Sequence, residues 1–131
     1  MTKRMKMKPA VILDALHRLN KVAEREGKYC DANAGIKFTP QAAIAIAKNR
    51  KELEREIEIV AEVEERNREM AKKQKSDLKN LPEQKELMRS ELDITLMMVS
   101  LSELEKCKDL TSEDFYDLMF MTEEGGEEKS C

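Results

Sequence analysis

The chain has 131 residues, of which 39% are charged and only 4% are aromatic, and its net charge is −3. This length favours one domain with appendages, and so few aromatic residues exclude a large globular core. A composition dominated by Glu, Lys, Arg, Ala, Leu and Ile is typical of long helices and coiled coils, although disordered chains are also rich in charge. The apolar residues recur periodically along the chain, which favours helices.

Positive charge is concentrated near the start of the chain. Residues 1–28 contain eight Lys or Arg and three acidic residues, whereas residues 29–131 are net negative. A basic end can attract phosphate-bearing ligands, but its first lysines also fit a solvated arm. The overall balance argues against a sequence-specific nucleic-acid binder. No apolar run is long enough to span a membrane, and none follows the basic residues as a signal peptide would require.

Three cysteines and one histidine bear on metal binding. Cys30, Cys107 and Cys131 form no CxxC pair, and His17 is the only histidine. A metal site needs several such ligands at close spacing, so we expect no metal and no cofactor. Free thiols are typical of a reducing compartment, and we therefore expect a cytoplasmic protein.

The first predicted helix covers residues 9–26. Pro9 suits the first turn of a helix, because its missing N–H has no partner there in any case. A stripe of apolar residues at helical spacing follows, consisting of Ile12, Leu16, Leu19 and Ala23. Gly27 is a plausible C-terminal stop.

A second, much longer helix is predicted from Thr39 to about Lys79. Thr39 can accept a hydrogen bond from a free amide of the first turn, and Pro40 fits the position after it. Neither Gly nor Pro occurs between Glu52 and Lys75. Such a helix is about 60 Å long, which exceeds what a chain of this size can bury by itself. We therefore expect a partner, most simply a second copy.

Within this helix, apolar residues alternate at spacings of four and three. The pattern is strongest from Leu53 to Val60 and is a moderate coiled-coil signal. A second stripe, formed by Ile59, Val63 and Met70, favours a bundle over a bare two-stranded coil. We expect an oligomer interface that contains Ile46, Leu53, Ile57 and Val60.

The period changes after Pro82. Residues 82–88 are predicted to form a short helix, and Leu92, Ile94 and Leu96 then alternate with polar residues as in a strand. A lone strand leaves its backbone groups unpaired, so it needs a mate. The candidates are Ile36–Phe38 of this chain and the same strand of a second copy.

Two short helices are predicted beyond the strand. Ser100 and Glu103 have the spacing of a capping box, which predicts a helical turn over residues 101–106. Thr111 or Ser112 is expected to cap a last helix whose apolar residues, with Phe115 among them, close a small core.

No catalytic motif is evident in the sequence. It contains no phosphate-binding loop, no nucleophile with a positioned base and no zinc signature, so we expect a protein that is not an enzyme. Four basic residues, two on the first helix and two near the start of the second, are the candidates for binding an anionic ligand: Arg18, Lys21, Lys37 and Lys48.

Three short motifs occur in a characteristic order. They are Lys8-Pro9-Ala10 at the first helix, Ala45-Ile46-Ala47-Lys48-Asn49 in the second, and Leu101-Ser102-Glu103-Leu104 after the strand. This order resembles that of a family of small, poorly characterised proteins encoded by tailed phages and prophages. The resemblance implies a phage origin, no known catalysis and a helical, oligomeric form.

The expected fold is mainly α, with the long helix packed on the N-terminal helix in an oligomeric helical bundle and a small C-terminal strand-plus-helix module. We divide the chain into a helical hairpin or rod (1–81), a strand and short-helix module (82–122) and a flexible acidic tail (123–131). The expected function is counter-defence in an infected bacterium, by sequestering a host nucleotide signal or effector. The alternative is an accessory role in virion assembly or structure.

Overall fold

A computed structural model of the protein describes residues 2–25, 37–108 and 110–123. In chain order its elements are β1 (Thr2–Met7), α1 (Pro9–Glu24), α2 (Pro40–Lys73), α3 (Pro82–Arg89), β2 (Leu92–Met97), α4 (Leu101–Glu105) and α5 (Ser112–Leu118). Short 3-10 turns, Leu78–Asn80 and Met119–Met121, precede α3 and follow α5. The mainly helical class is confirmed. The expectations for Gly27 and for most of the acidic tail lie outside the described residues.

Helix α2 begins where the sequence predicts and ends earlier. The Thr39 hydroxyl accepts a hydrogen bond from the Ala42 amide, and Pro40 occupies the first position. The helix ends at Lys73, not near residue 79, because Lys75 adopts a left-handed conformation with φ of 53°. The Lys75 and Ser76 amides then bond back to carbonyls of the last turn, as in a Schellman motif. Glycine usually occupies such a position, and the sequence has none there.

The small sheet consists of β1 and β2, which are antiparallel, with Thr2 opposite Met97 and Met7 opposite Leu92. The mate of β2 within this chain is therefore β1 and not the candidate segment Ile36–Phe38. Lys37 instead forms an isolated bridge with Lys108. The first lysines, which also fitted a solvated arm, lie in a strand, and their side chains are exposed. Lys6 of β1 lies between Met5 and Met7, and Met7 is buried in the core.

The outer edge of β2 is covered by helix α2 and by the segment after α5. The Asn49 amide donates to the Met97 carbonyl at 2.9 Å and accepts from the Met97 amide at 2.7 Å. Glu52 accepts from the amide of Thr95 at 3.3 Å. Beyond the strand, the Val99 amide bonds to the carbonyl of Met121. Within the described residues, this edge is thus occupied at Thr95, Met97 and Val99 without a second copy.

One hydrophobic core contains residues from both sides of position 82. Its fully buried members include Ile12, Leu19, Leu53, Ile94, Leu96, Leu104 and Leu118. Ile46 is also in this core, and Ile57 packs against it. The argument that the chain cannot bury its long helix is therefore wrong for the first half of α2, because α1 and β2 cover that half.

Replacing Asn49 with Ala tests whether its amide holds α2 against β2. The Met97 N–H and C=O would lose their partners in a buried environment, since Asn49 is only 1% exposed. We expect a loss of about 2–4 kcal/mol in the free energy of unfolding, measured by urea denaturation. The control, Lys48→Ala, alters an exposed neighbour and should change stability by less than about 0.5 kcal/mol. Equal midpoints for the two variants would contradict this role.

Candidate functional site

A basic cleft lies where the end of α2 turns back into α3. It is lined by Lys79, Gln84, Lys85, Met88 and Arg89 and has a volume of about 360 Å³. Small-molecule sites commonly start near this size. Within the described residues, none of its three cations forms an ion pair. The three cations are therefore not held by an acidic side chain and can turn to a ligand in the cleft.

Local chain geometry places these cations together. After the left-handed residue at the end of α2, the 3-10 turn Leu78–Asn80 carries Lys79. Leu81 is buried and anchors the turn, and Pro82 starts α3 at its first position. Lys85 and Arg89 are four residues apart, so they lie on one face of α3.

A buried chain of polar side chains fixes α3 against α2 beneath the cleft. The Asn67 amide donates to Gln84 at 3.0 Å, and the Gln84 amide donates to Glu64 at 2.9 Å. Asn67 and Gln84 are both buried, and Arg68 pairs with Glu64 at 3.1 Å. Because these bonds hold the Gln84 side chain, the cleft has a defined polar wall.

The four cations expected to bind an anion do not line this cleft. Arg18 pairs with Asp14 at 3.0 Å and lies over the Tyr116 ring, 4.9 Å from its centroid. Lys21 pairs with acidic residues of α5. Lys37 and Lys48 are exposed. Their assignment as ligand residues stays a prediction, although acids already neutralise Arg18 and Lys21.

Sequence reasoning missed the cations of the cleft. The spacing of Lys85 and Arg89 on a helix predicted to start at Pro82 was a usable signal. Lys79 had no such signal, because its position depends on how α2 ends.

The acids and bases between α1 and α5 hold the two helices together. Lys21 bonds to Glu113 and lies 3.3 Å from Asp117, which is buried. Arg25 pairs with Asp114, which is 1% exposed. Asp114 also accepts the amide of Thr111 within the predicted cap of α5. These pairs offset part of the cost of burying the two carboxylates, while Asp114 Oδ1 and Asp117 Oδ2 have no hydrogen-bond partner within the described residues.

An apolar groove of about 260 Å³ runs between α1, α2 and α3. Its lining is apolar except for Glu64: Pro9, Ala10, Leu13, Ile57, Val60, Ala61 and Met88. Leu13 remains 44% exposed. Of the residues expected at an oligomer interface, Ile57 and Val60 line this groove, whereas Ile46 and Leu53 belong to the chain's own core.

Comparisons with family models, with curated proteins and with solved structures found no match to this chain. Among the described residues, no helix is both long enough and apolar enough to cross a membrane. The same part of the chain contains no group of three or more His, Cys, Asp or Glu residues that could hold a metal ion.

The pairing of Lys21 predicts a loss of stability at alkaline pH. Its hydrogen bond to Glu113, supported by Asp117, raises the pKa of Lys21 above its ordinary value of 10.5. The charged form is favoured in the folded protein, so its stabilisation is complete below the ordinary pKa and disappears as the pH rises through the raised one. We expect the stability difference between the protein and Lys21→Met to be constant near neutral pH and to shrink above 10.5.

Urea denaturation at a series of pH values measures this difference. The control, Lys51→Met, alters an exposed lysine that forms no ion pair within the described residues. The stability difference between the protein and Lys51→Met should not shrink in the same way as the pH rises. A Lys21→Met difference that stays constant through the strongly alkaline range would show that the ion pairs do not stabilise the fold.

Proposed function

We propose that the protein is a non-enzymatic binding protein that sequesters a small anionic ligand, most simply a nucleotide signal of an infected bacterial host. In this proposal it is encoded by a phage, acts in the host cytoplasm and counters a defence system. The observation that carries the proposal is the basic cleft, because it is lined by three cations that form no ion pair within the described residues.

The residues of the cleft match the chemistry of a nucleotide. Arg89 can bind a phosphate through two parallel hydrogen bonds, and Lys79 and Lys85 add compact positive charges. The Gln84 amide retains hydrogen-bonding capacity beyond its two bonds to α2. Met88 offers a polarisable surface for a base. No serine, cysteine, carboxylate or histidine is among the lining residues, which supports capture over turnover.

The proposal includes self-association through the apolar groove, with a second copy as the occupant. Leu13 lines the groove and is partly exposed, so one surface offers both an apolar recess and an apolar side chain. Such a surface can pair with itself about a twofold axis. Ile57 and Val60, at coiled-coil spacing, lie in it. Met88 lines the groove and the cleft, so pairing would adjoin the ligand site.

Charge reversal in the cleft tests the ligand site. We expect Lys85→Glu with Arg89→Glu to weaken binding of a nucleotide by about 100-fold or more, because each lost charge-assisted bond contributes about 1.5–3 kcal/mol. The matched control, Lys37→Glu with Lys48→Glu, reverses the same number of charges at the exposed candidates. Calorimetric titration with a panel of mono-, di- and cyclic nucleotides measures the affinities.

Native mass spectrometry of the protein purified from phage-infected bacteria reveals the natural ligand. Added mass on the protein that disappears in the cleft variant supports capture. Added mass that disappears only in the control pair would move the site to Lys37 and Lys48. A protein without added mass, and without affinity for any nucleotide of the panel, would overturn sequestration of a nucleotide.

A single glutamate in the groove tests self-association. Ala61 is exposed and lines the groove, so Ala61→Glu places a charge there without removing a core side chain. We expect it to shift the mass in sedimentation equilibrium from oligomer to monomer. Ala47→Glu is the matched control, since it makes the same change at an exposed position about 21 Å along α2. A protein that is already monomeric at all concentrations would contradict self-association.

The groove also favours a second candidate function, an accessory role in virion assembly. An apolar recess beside exposed apolar side chains is a usual feature of protein contacts. In that case the groove would hold a virion protein, and the protein would co-purify with assembling particles from infected cells. Ala61→Glu would then abolish co-purification, and the cleft variant would leave it unchanged.

A further inference from the structure

We propose that the outer edge of β1 binds an extended acidic segment of a partner protein by adding it as a third strand to the sheet. This surface is separate from the basic cleft and from the apolar groove, and the inference does not depend on the proposed function. Three observations support it: backbone groups of β1 point outward, the opposite edge of the sheet at β2 is occupied, and the side chains of β1 are positively charged.

The hydrogen bonds of β2 establish which backbone groups of β1 point outward. The Thr95 amide and both polar groups of Met97 bond to side chains of α2, so these two residues direct their backbones away from β1. In an antiparallel pair, a residue whose backbone groups point away from the partner strand lies opposite a residue whose groups also point outward, away from the pair. Arg4 lies opposite Thr95, and Thr2 lies opposite Met97. Both therefore point their N–H and C=O groups away from β2.

Lys6 continues the same alternation, because it lies opposite Asp93. The outer edge of β1 thus presents the backbone groups of every second residue along the strand. Within the described residues, these groups have no backbone partner. The far edge of β2 is occupied by α2 and by Met121. In this part of the chain, β1 is the edge of the sheet that can accept another strand.

The side chains of β1 favour an added strand of opposite charge. Lys3, Arg4 and Lys6 are all exposed. Pairing with the β1 of a second copy would oppose cations to cations, which destabilises a sheet. Lysines on an edge strand commonly prevent such pairing. An extended segment rich in Glu or Asp would satisfy the backbone edge and neutralise the same side chains, so it is the occupant that the charges favour.

The test measures the full-length protein against a fluorescent peptide in which Glu alternates with Val. Its anisotropy reports binding, and amide chemical shifts of β1 report the site. A peptide with Lys in place of each Glu is the charge control. We expect the acidic peptide to bind and the basic one not to bind. Equal binding of both peptides, or none of either, would overturn the proposal.

Arg4→Pro separates strand addition from simple charge attraction. Proline removes the outward N–H of Arg4 and places its ring on the edge, while the bonds between β1 and β2 do not use that N–H. Arg4→Ala loses the same charge and keeps the N–H. We expect the proline variant to bind the acidic peptide about tenfold more weakly than the alanine variant. Equal affinities would show that only charge attracts the peptide.

An N-methylated acidic peptide gives the same test without altering the protein, in case the proline variant does not fold. Methylation of alternate amides on the edge-facing side removes the donors and keeps the charge, so we expect binding to be lost. Undiminished binding would overturn strand addition. Protection of the β1 amides that appears only at high concentration of the protein alone would identify a second copy as the occupant and overturn the proposal.

Discussion

The fold depends on the contact between the Asn49 amide and the backbone of Met97. A two-stranded sheet is marginal by itself, because its outer edges leave polar groups unpaired. The buried Asn49 side chain bonds to both the N–H and the C=O of Met97. It thereby replaces, at this residue, the backbone partner that a neighbouring strand would supply. Because β2 is held there, it can pair with β1 at the start of the chain and present Val99 to the segment after α5.

The two halves of α2 have different surroundings, and the candidate binding surfaces follow from this difference. The first half is covered by α1 and β2, so its apolar stripe is a core. Beyond Val60, α3 is the main cover, and it is held by the polar chain through Gln84. Met88 of α3 lines both the apolar groove and the basic cleft.

The role of each cation in this protein depends on whether an acidic side chain pairs with it. Lys21 and Arg25 face Asp117 and Asp114, two buried carboxylates that must be paired because an isolated buried charge is costly. Their charge is therefore used within the fold. The cations of the basic cleft and of β1 form no ion pair among the described residues, although Lys6 lies opposite Asp93, and they remain able to attract an anionic ligand or an acidic chain.

The sequence by itself determined the features that depend on a few neighbouring residues. These are the cap at Thr39, the start of α3 at Pro82, a cap at Thr111 or Ser112 that the structure assigns to Thr111, and the strand period of β2. Such signals are readable because the bonds that cause them span three or four residues. The tertiary structure alone decided that β1 pairs with β2, that the apolar stripe of α2 is largely internal and that the basic cleft forms. The first two depend on which distant segments meet: Thr2 pairs with Met97 across most of the chain, and no local pattern encodes that choice. The cleft depends on where α2 ends, at a left-handed lysine that no glycine marks in the sequence.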